Sequence, residues 1–132
     1  MTFHLQIVTP DGVSFDGQAE RLDVRTQHGD IGILPNHIDY VSALGMGQAR
    51  VVVDGETRTA ACIGGMGSVS GGEVKLVATT FEWAEEIDLP RAKAAEERAR
   101  KAMEEKQLSE SELHLAEARL KRALVRQSVA KK

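Results

Sequence analysis

The residues with the clearest chemical capacity are four arginines in the last third of the chain, Arg91, Arg98, Arg122 and Arg126. Other basic residues in this segment have an acid one turn earlier, Glu96 before Arg100, Glu97 before Lys101 and Glu117 before Lys121, the spacing that pairs charges along a helix. Arg98, Arg122 and Arg126 have no acid three or four positions away in sequence, and Arg91 has only Asp88. Guanidinium forks match phosphate oxygens two at a time. Asp88 can also open a helix, and a helix N-terminus attracts anions. If the segment is a hairpin turning near Leu108, equal rise in its two arms sets Arg91 opposite Arg126 and close to Arg122. Guanidinium groups that converge repel one another unless an anion intervenes, so the chemistry these residues suit is the binding of a polyphosphate. An ordinary solvated helix face is the other reading of the same spacing.

Catalytic chemistry finds little support in the residue pattern. There is no G-x-x-x-x-G-K-S/T loop, and Gly64-Gly65-Met66-Gly67 is followed by Ser68 with no lysine to reach a phosphate. No paired carboxylates suit a magnesium-assisted displacement. His4, His28, His37 and His114 are scattered, and with the distant Cys62 they give no metal-ligand spacing. Ser68 and Ser70 have no activating histidine nearby in sequence. The expectation is a regulatory or structural protein with no catalytic residue and no metal.

The elements that must position these groups fall into two kinds. Up to about Phe81 the chain is a series of short apolar or alternating runs, such as Phe3, Leu5 and Ile7, or Leu22 and Val24. Turn signals separate them at Pro10-Asp11-Gly12, Asp16-Gly17, His28-Gly29-Asp30, Asp54-Gly55 and Gly71-Gly72. Strands this short and frequent predict a β-sandwich or flattened barrel over residues 1–84. The Gly64 to Gly67 stretch is too rich in glycine for a regular strand interior, and it predicts a bulge or a place where another backbone comes close. From Asp88 onward there is no glycine and only one proline, and the period becomes helical. Asp88 is the expected N-cap, with Pro90 in the opening turn. Ala92, Ala95, Ala99, Ala102 and Met103 recur on one face. After a break at Gln107-Leu108, Ser109 and Glu112 form a capping box for a second helix with an inner face of Leu113, Ala116, Leu120, Ala123 and Leu124. Residues 85–132 are thus expected to form an antiparallel two-helix hairpin of four to five turns per arm. Its alanine seam buries little apolar area and should hold the arms together weakly.

Composition narrows the partners. The 132 residues are 42% hydrophobic and 28% charged, with a formal net charge of -3, which offers no basic footprint for nucleic acid or anionic lipid. No apolar run is long enough to span a bilayer, so work at a membrane would require another subunit to hold the chain there. Cys62 lies in the apolar run Ala60-Ala61-Cys62-Ile63 and is expected to be buried.

Two motifs add a resemblance. Gly29-Asp30-Ile31-Gly32-Ile33-Leu34-Pro35-Asn36-His37 is similar to the G-E-x-G-x-x-P-G-H signature of the epsilon subunit of bacterial rotary (F-type) ATP synthases. Asp30 replaces the usual Glu, Asn36 the usual Gly, and Ile38-Asp39-Tyr40 a common Ala-Pro-Leu. Ile87-Asp88-Leu89-Pro90-Arg91-Ala92 resembles the I/L-D-x-x-R-A signature of ATP-binding epsilon subunits. The resemblance implies a non-catalytic central-stalk subunit of a proton-translocating synthase, peripheral on the cytoplasmic face of the bacterial cell membrane. Its sandwich would bind the gamma subunit and the polar loops of the membrane ring, with Asp30 and His37 on the ring-facing end. ATP would be a regulatory ligand, with Glu82, Ile87, Asp88 and Ala92 toward adenosine and Arg91, Arg98, Arg122 and Arg126 toward the phosphates. The helical tail, once extended, would reach the catalytic beta and alpha subunits and inhibit ATP hydrolysis. A rotor coupler that binds no ATP, or an unrelated β-sandwich binding module with a helical tail, are the alternatives.

Overall fold

The structure is a computed structural model that describes residues 1–105 and 107–130; Lys131 and Lys132, the end of the expected helical tail, lie outside the described residues. The chain divides into two compact units, Met1–Trp83 and Ala84–Lys132.

The first unit consists of eight strands, β1 (Phe3–Thr9), β2 (Gly12–Ala19), β3 (Arg21–Thr26), β4 (Gly29–Ile33), β5 (Tyr40–Ala43), β6 (Met46–Val53), β7 (Glu56–Ser70) and β8 (Glu73–Trp83). They pair in the order β2-β1-β8-β7-β6-β3-β4, with β5 pairing β7 off that path. Every ladder is antiparallel except β1 with β8. The alternation read in the sequence is the inward face. Phe3, Leu5 and Ile7 of β1, Leu22 and Val24 of β3, Val51 of β6 and Val74, Leu76 and Phe81 of β8 share one buried cluster. Aliphatic side chains dominate it, as the low aromatic content requires. This is the β-sandwich expected from the strand punctuation, followed by the two expected helices.

Strand β7 creates the second layer. Its residues 56–63 pair with β6, its residues 66–69 pair with β5, and β8 follows it along most of its length. The glycine stretch therefore lies within a strand, and the crease sits at Gly64 and Gly65, whose φ angles are 72° and 113°. A Cβ on Gly65 would stand 2.1 Å from the Val77 carbonyl oxygen and 2.7 Å from Ala78 Cα, so the second of the two sequence alternatives, close backbone approach, is what occurs. One turn signal is corrected. Asp16 and Gly17 lie inside β2, paired with Gln6 and Leu5. The ladder to β1 overrides the local turn propensity, at an edge strand where polar residues are tolerated. The Asp54-Gly55 and Gly71-Gly72 turns are tight hairpins, with both central φ angles positive, at 51° and 79° and at 56° and 80°.

The second unit opens with a 3-10 turn (Ala84–Glu86) and continues as α1 (Leu89–Met103) and α2 (Glu110–Ala130). Asp88 caps α1, its side chain accepting from the Arg91 amide at 3.1 Å. Ser109 Oγ accepts from the Glu112 amide at 3.1 Å, the N-cap half of the expected capping box, and donates to the Glu112 carboxylate at 3.0 Å. At 21 residues α2 is longer than expected, about six turns.

Candidate functional site

The seam of the helical unit decides what its surface can bind. Ala92 and Ala99, seven residues apart on α1, and Ala116 and Ala123, seven apart on α2, are buried. Residues two turns apart share a helix face, so the alanines form a single line on each arm. The expected inner face of α2 is corrected at its leucines. Leu113 and Leu124 are 37% and 40% exposed, whereas Val129 is fully buried. A seam of methyl groups leaves no room for isobutyl side chains between the axes, so the leucines stand at its flank.

A side-chain contact joins the two arms toward their open end. Gln127 Nε2 donates to the Glu96 carboxylate at 2.8 Å and to the Ala92 carbonyl at 3.5 Å. Helical side chains lean toward the N-terminus of their own helix, so the Gln127 amide lies over the preceding turn of α2, the level that equal rise about Leu108 sets opposite Ala92. A groove of about 390 Å³ opens between the helices, lined by Ala95, Arg98, Ala99 and Ala102 of α1 and by Ala116, Arg119, Arg122 and Arg126 of α2. Its floor is alanine and its polar lining is entirely guanidinium. The acids of α1 nearest the groove residues in sequence are engaged elsewhere, Glu96 by Arg100 at 2.7 Å and by Gln127, and Glu97 by Lys101 at 3.3 Å. Arg98, Arg119 and Arg122 have no carboxylate partner among the described residues. Such a surface is complementary to a linear polyanion, because planar forks can each engage two oxygens.

Three of the four arginines singled out in the sequence, Arg98, Arg122 and Arg126, are brought together in this groove. Arg91 is not among its lining residues; it lies exposed in the first turn of α1. Arg119 was missed, although it carried the same signal as the others, having no acid three or four positions away. Asp88 stands at the α1 N-cap, Ile87 just before it is half-buried, and Ala92 is buried on α1. Glu82 belongs to the β unit, where it pairs with Ala61 near the end of β8.

The other singled-out residues lie in the β unit. Asp30 accepts from Arg25 Nε at 3.0 Å and Nη2 at 3.2 Å, and this guanidinium holds its carboxyl below the usual carboxylate range. His37 follows Asn36, which adopts the left-handed φ of 69° that its turn demands. The His37 amide donates to the Leu34 carbonyl at 3.1 Å, its Nδ1 meets the Ile38 carbonyl at 2.7 Å, and its ring stands edge-on to Tyr40. Asp30 sits beside the β3–β4 turn, whereas His37 lies in the connection leaving the other end of β4. Two apolar side chains, Met66 of β7 and Val77 of β8, face each other across the ladder and are each 48% exposed. Exposed Val41 of β5, partner of Ser68 two residues beyond Met66, extends the same surface. Cys62 is buried as expected, and burial pushes its thiol pKa up to about 12. No helix among the described residues is long and apolar enough to cross a membrane.

Comparisons with known proteins agree on a family. Residues 2–84 match the beta-sandwich domain of the ATP synthase delta/epsilon chain, and residues 85–131 match its long alpha-helix domain. The ATP synthase epsilon chain of Bacillus licheniformis is 40% identical over 130 residues, covering 98% of each chain. That of Caldicellulosiruptor bescii is 38% identical over 97% of this chain and 93% of its own. Among solved structures, a chain of the Euglena gracilis mitochondrial ATP synthase has the same fold, with a TM-score of 0.85 at 22% identity over 96% of this chain and 80% of that one. A chain from the central stalk and c-ring structure of the Tetrahymena thermophila mitochondrial ATP synthase gives 0.66 at 12% identity, over 96% and 95%. With both domain models matched along nearly its whole length and full-length bacterial epsilon chains about 40% identical, the chain belongs to the ATP synthase delta/epsilon chain family, as an epsilon chain.

Proposed function

We propose that this epsilon chain couples the membrane ring to the catalytic head as a rotor subunit and restrains ATP hydrolysis through an ATP-sensitive helical tail. The β unit binds the gamma subunit through an apolar surface of the kind formed by Val41, Met66 and Val77, and meets the polar loops of the membrane ring through the ends carrying Asp30 and His37. The helical unit is the sensor. ATP is a regulatory ligand held by Glu82, Ile87, Asp88 and Ala92 at its adenosine side and by Arg91, Arg98, Arg122 and Arg126 along its phosphates. The chain itself performs no chemistry on the nucleotide. It works at the cytoplasmic face of the cell membrane, held there by its partners.

The observation that carries this reading is the groove whose polar lining is wholly guanidinium, between helices joined by an alanine seam. The seam contributes little burial, and elements that switch are drawn from the weakly held parts of a protein. An anion bound across both arms stabilises the closed hairpin. If ATP binds only that state, a concentration one hundredfold above its dissociation constant adds about 2.7 kcal/mol to it, enough to reverse a modest preference for opening. When ATP is scarce the arms separate, and the same arginines pair with acidic surface on the catalytic beta and alpha subunits. One cluster thereby serves both sensing and inhibition.

The test places a fluorophore pair on the sandwich and near Val129 in the assembled synthase, with ATPase activity followed alongside. Transfer efficiency should rise with ATP, and removal of residues 88–132 should speed hydrolysis. Efficiency indifferent to ATP, together with unchanged hydrolysis after removal of the tail, would leave the chain a passive coupler.

A further inference from the structure

We infer that Arg119 reads the length of the phosphate chain in the helical groove, engaging the terminal phosphate of a triphosphate and leaving a diphosphate untouched. The inference rests on the nucleotide reading above for the direction in which the ligand lies. Arg119, Arg122 and Arg126 follow one another at intervals of three and four residues, so they stand in a row on one face of α2. At 1.5 Å of rise per residue the row is about 10 Å long. Its direction is set by Gln127, which reaches the Ala92 carbonyl and Glu96 and so anchors the Arg126 end beside the first turns of α1. Passing from Arg126 to Arg119 therefore moves away from Asp88 and Ala92, toward the connection between the helices. A nucleotide with its adenosine at the start of α1 meets Arg126 first and Arg119 last.

The groove has the character of a built track at its far end as well. Arg98 and Arg119 line it from opposite helices, above Ala95, Ala99, Ala102 and Ala116, which leave space for an anion. Neither guanidinium has a carboxylate partner among the described residues. Two such groups facing one space repel, and a terminal phosphate with its greater charge is the group that relieves the repulsion best. A diphosphate ends short of Arg119 and gains nothing from it.

The experiment is calorimetric titration of the full chain with ATP, ADP and inorganic tripolyphosphate, in wild type, Arg119→Ala, Arg119→Lys and Arg126→Ala, with helicity checked by circular dichroism. Arg119→Ala should weaken ATP and tripolyphosphate by about tenfold, the loss of one charge-assisted contact. ADP affinity should stay the same, Arg119→Lys should restore part of the loss, and Arg126→Ala should weaken ATP and ADP alike. If Arg119→Ala changes ATP and ADP equally, or changes neither, Arg119 does not read chain length, while the nucleotide reading survives. If tripolyphosphate binds in an Arg119-dependent way and neither nucleotide binds, the nucleotide reading fails and the role of Arg119 in the groove stands. Wild type that binds none of the three overturns both.

Discussion

Gly65 is the point where a single added methyl group should do the most damage to the β unit. Its φ of 113° lies where L side chains are disfavoured, at a cost of about 1–3 kcal/mol. The new Cβ would also meet backbone, the Val77 carbonyl oxygen at 2.1 Å and Ala78 Cα at 2.7 Å. Backbone cannot rotate aside as a side chain can, so β7 must separate from β8 at the crease. Two hydrogen bonds lie in the path of that movement, from the Leu44 amide to the Gly65 carbonyl at 2.9 Å and from the Gly64 amide to the Gly45 carbonyl at 3.1 Å. Each lost bond costs about 1 kcal/mol, so Gly65→Ala should cost about 3–5 kcal/mol, a large share of the 5–15 kcal/mol that holds a domain together. Gly71→Ala is the control, because Gly71 has a φ of 56° with nothing within 4 Å of its added Cβ, leaving only a backbone penalty of about 1 kcal/mol. Urea unfolding followed by Trp83, the chain's one tryptophan and part of this core, reports on the β unit. With an m-value of about 1 kcal/mol per molar, the midpoint should fall by about 3 M or more for Gly65→Ala and about 1 M for Gly71→Ala. Equal shifts for the two variants would refute the reasoning, since the steric term would then be absent.

Two further outcomes are expected. His4 Nε2 lies 2.6 Å from Asp16 of β2, with Glu73 of β8 3.7 Å from Nδ1, and this hydrogen bond with Asp16, aided by the two negative charges, raises its pKa above 6.5. A raised pKa means that the contact contributes fully below pH 6.5 and is lost as pH rises through the folded value; an NMR titration should place the His4 midpoint above 6.5 and Asp16→Asn should lower it, whereas a wild-type midpoint at or below 6.5 would count against the pairing. The β core is drawn entirely from residues 3–83, so a chain ending at Glu86 should fold cooperatively and still bind the gamma subunit, and an insoluble or non-binding product would show that the helical unit is needed for either property.

Local chemistry was legible in the sequence wherever a few neighbouring residues settle the outcome. Asp54-Gly55 specified a tight hairpin because both central positions need positive φ. Asp88 and Ser109 marked the helix starts because a short oxygen-bearing side chain satisfies an amide that the helix leaves unpaired. The change from strand punctuation to helical period near residue 84 separated the two kinds of structure, and two short motifs carried the family. Tertiary structure decided the rest. Asp16-Gly17 has turn propensity, yet the β1 ladder holds it in a strand. The glycine run of β7 became the crease of the sandwich because that strand serves both β6 and β5, a pairing between residues far apart in the chain. In the helical unit the arginines could be counted from the sequence, but their neighbours could not. Packing of the two arms along the alanine seam brings Arg119 beside Arg98, Arg122 and Arg126 and leaves Arg91 outside the groove. Spacing along one helix follows from its geometry alone, whereas the alignment of two helices depends on how their side chains pack, and this is why the partners of a charged residue emerge only in three dimensions.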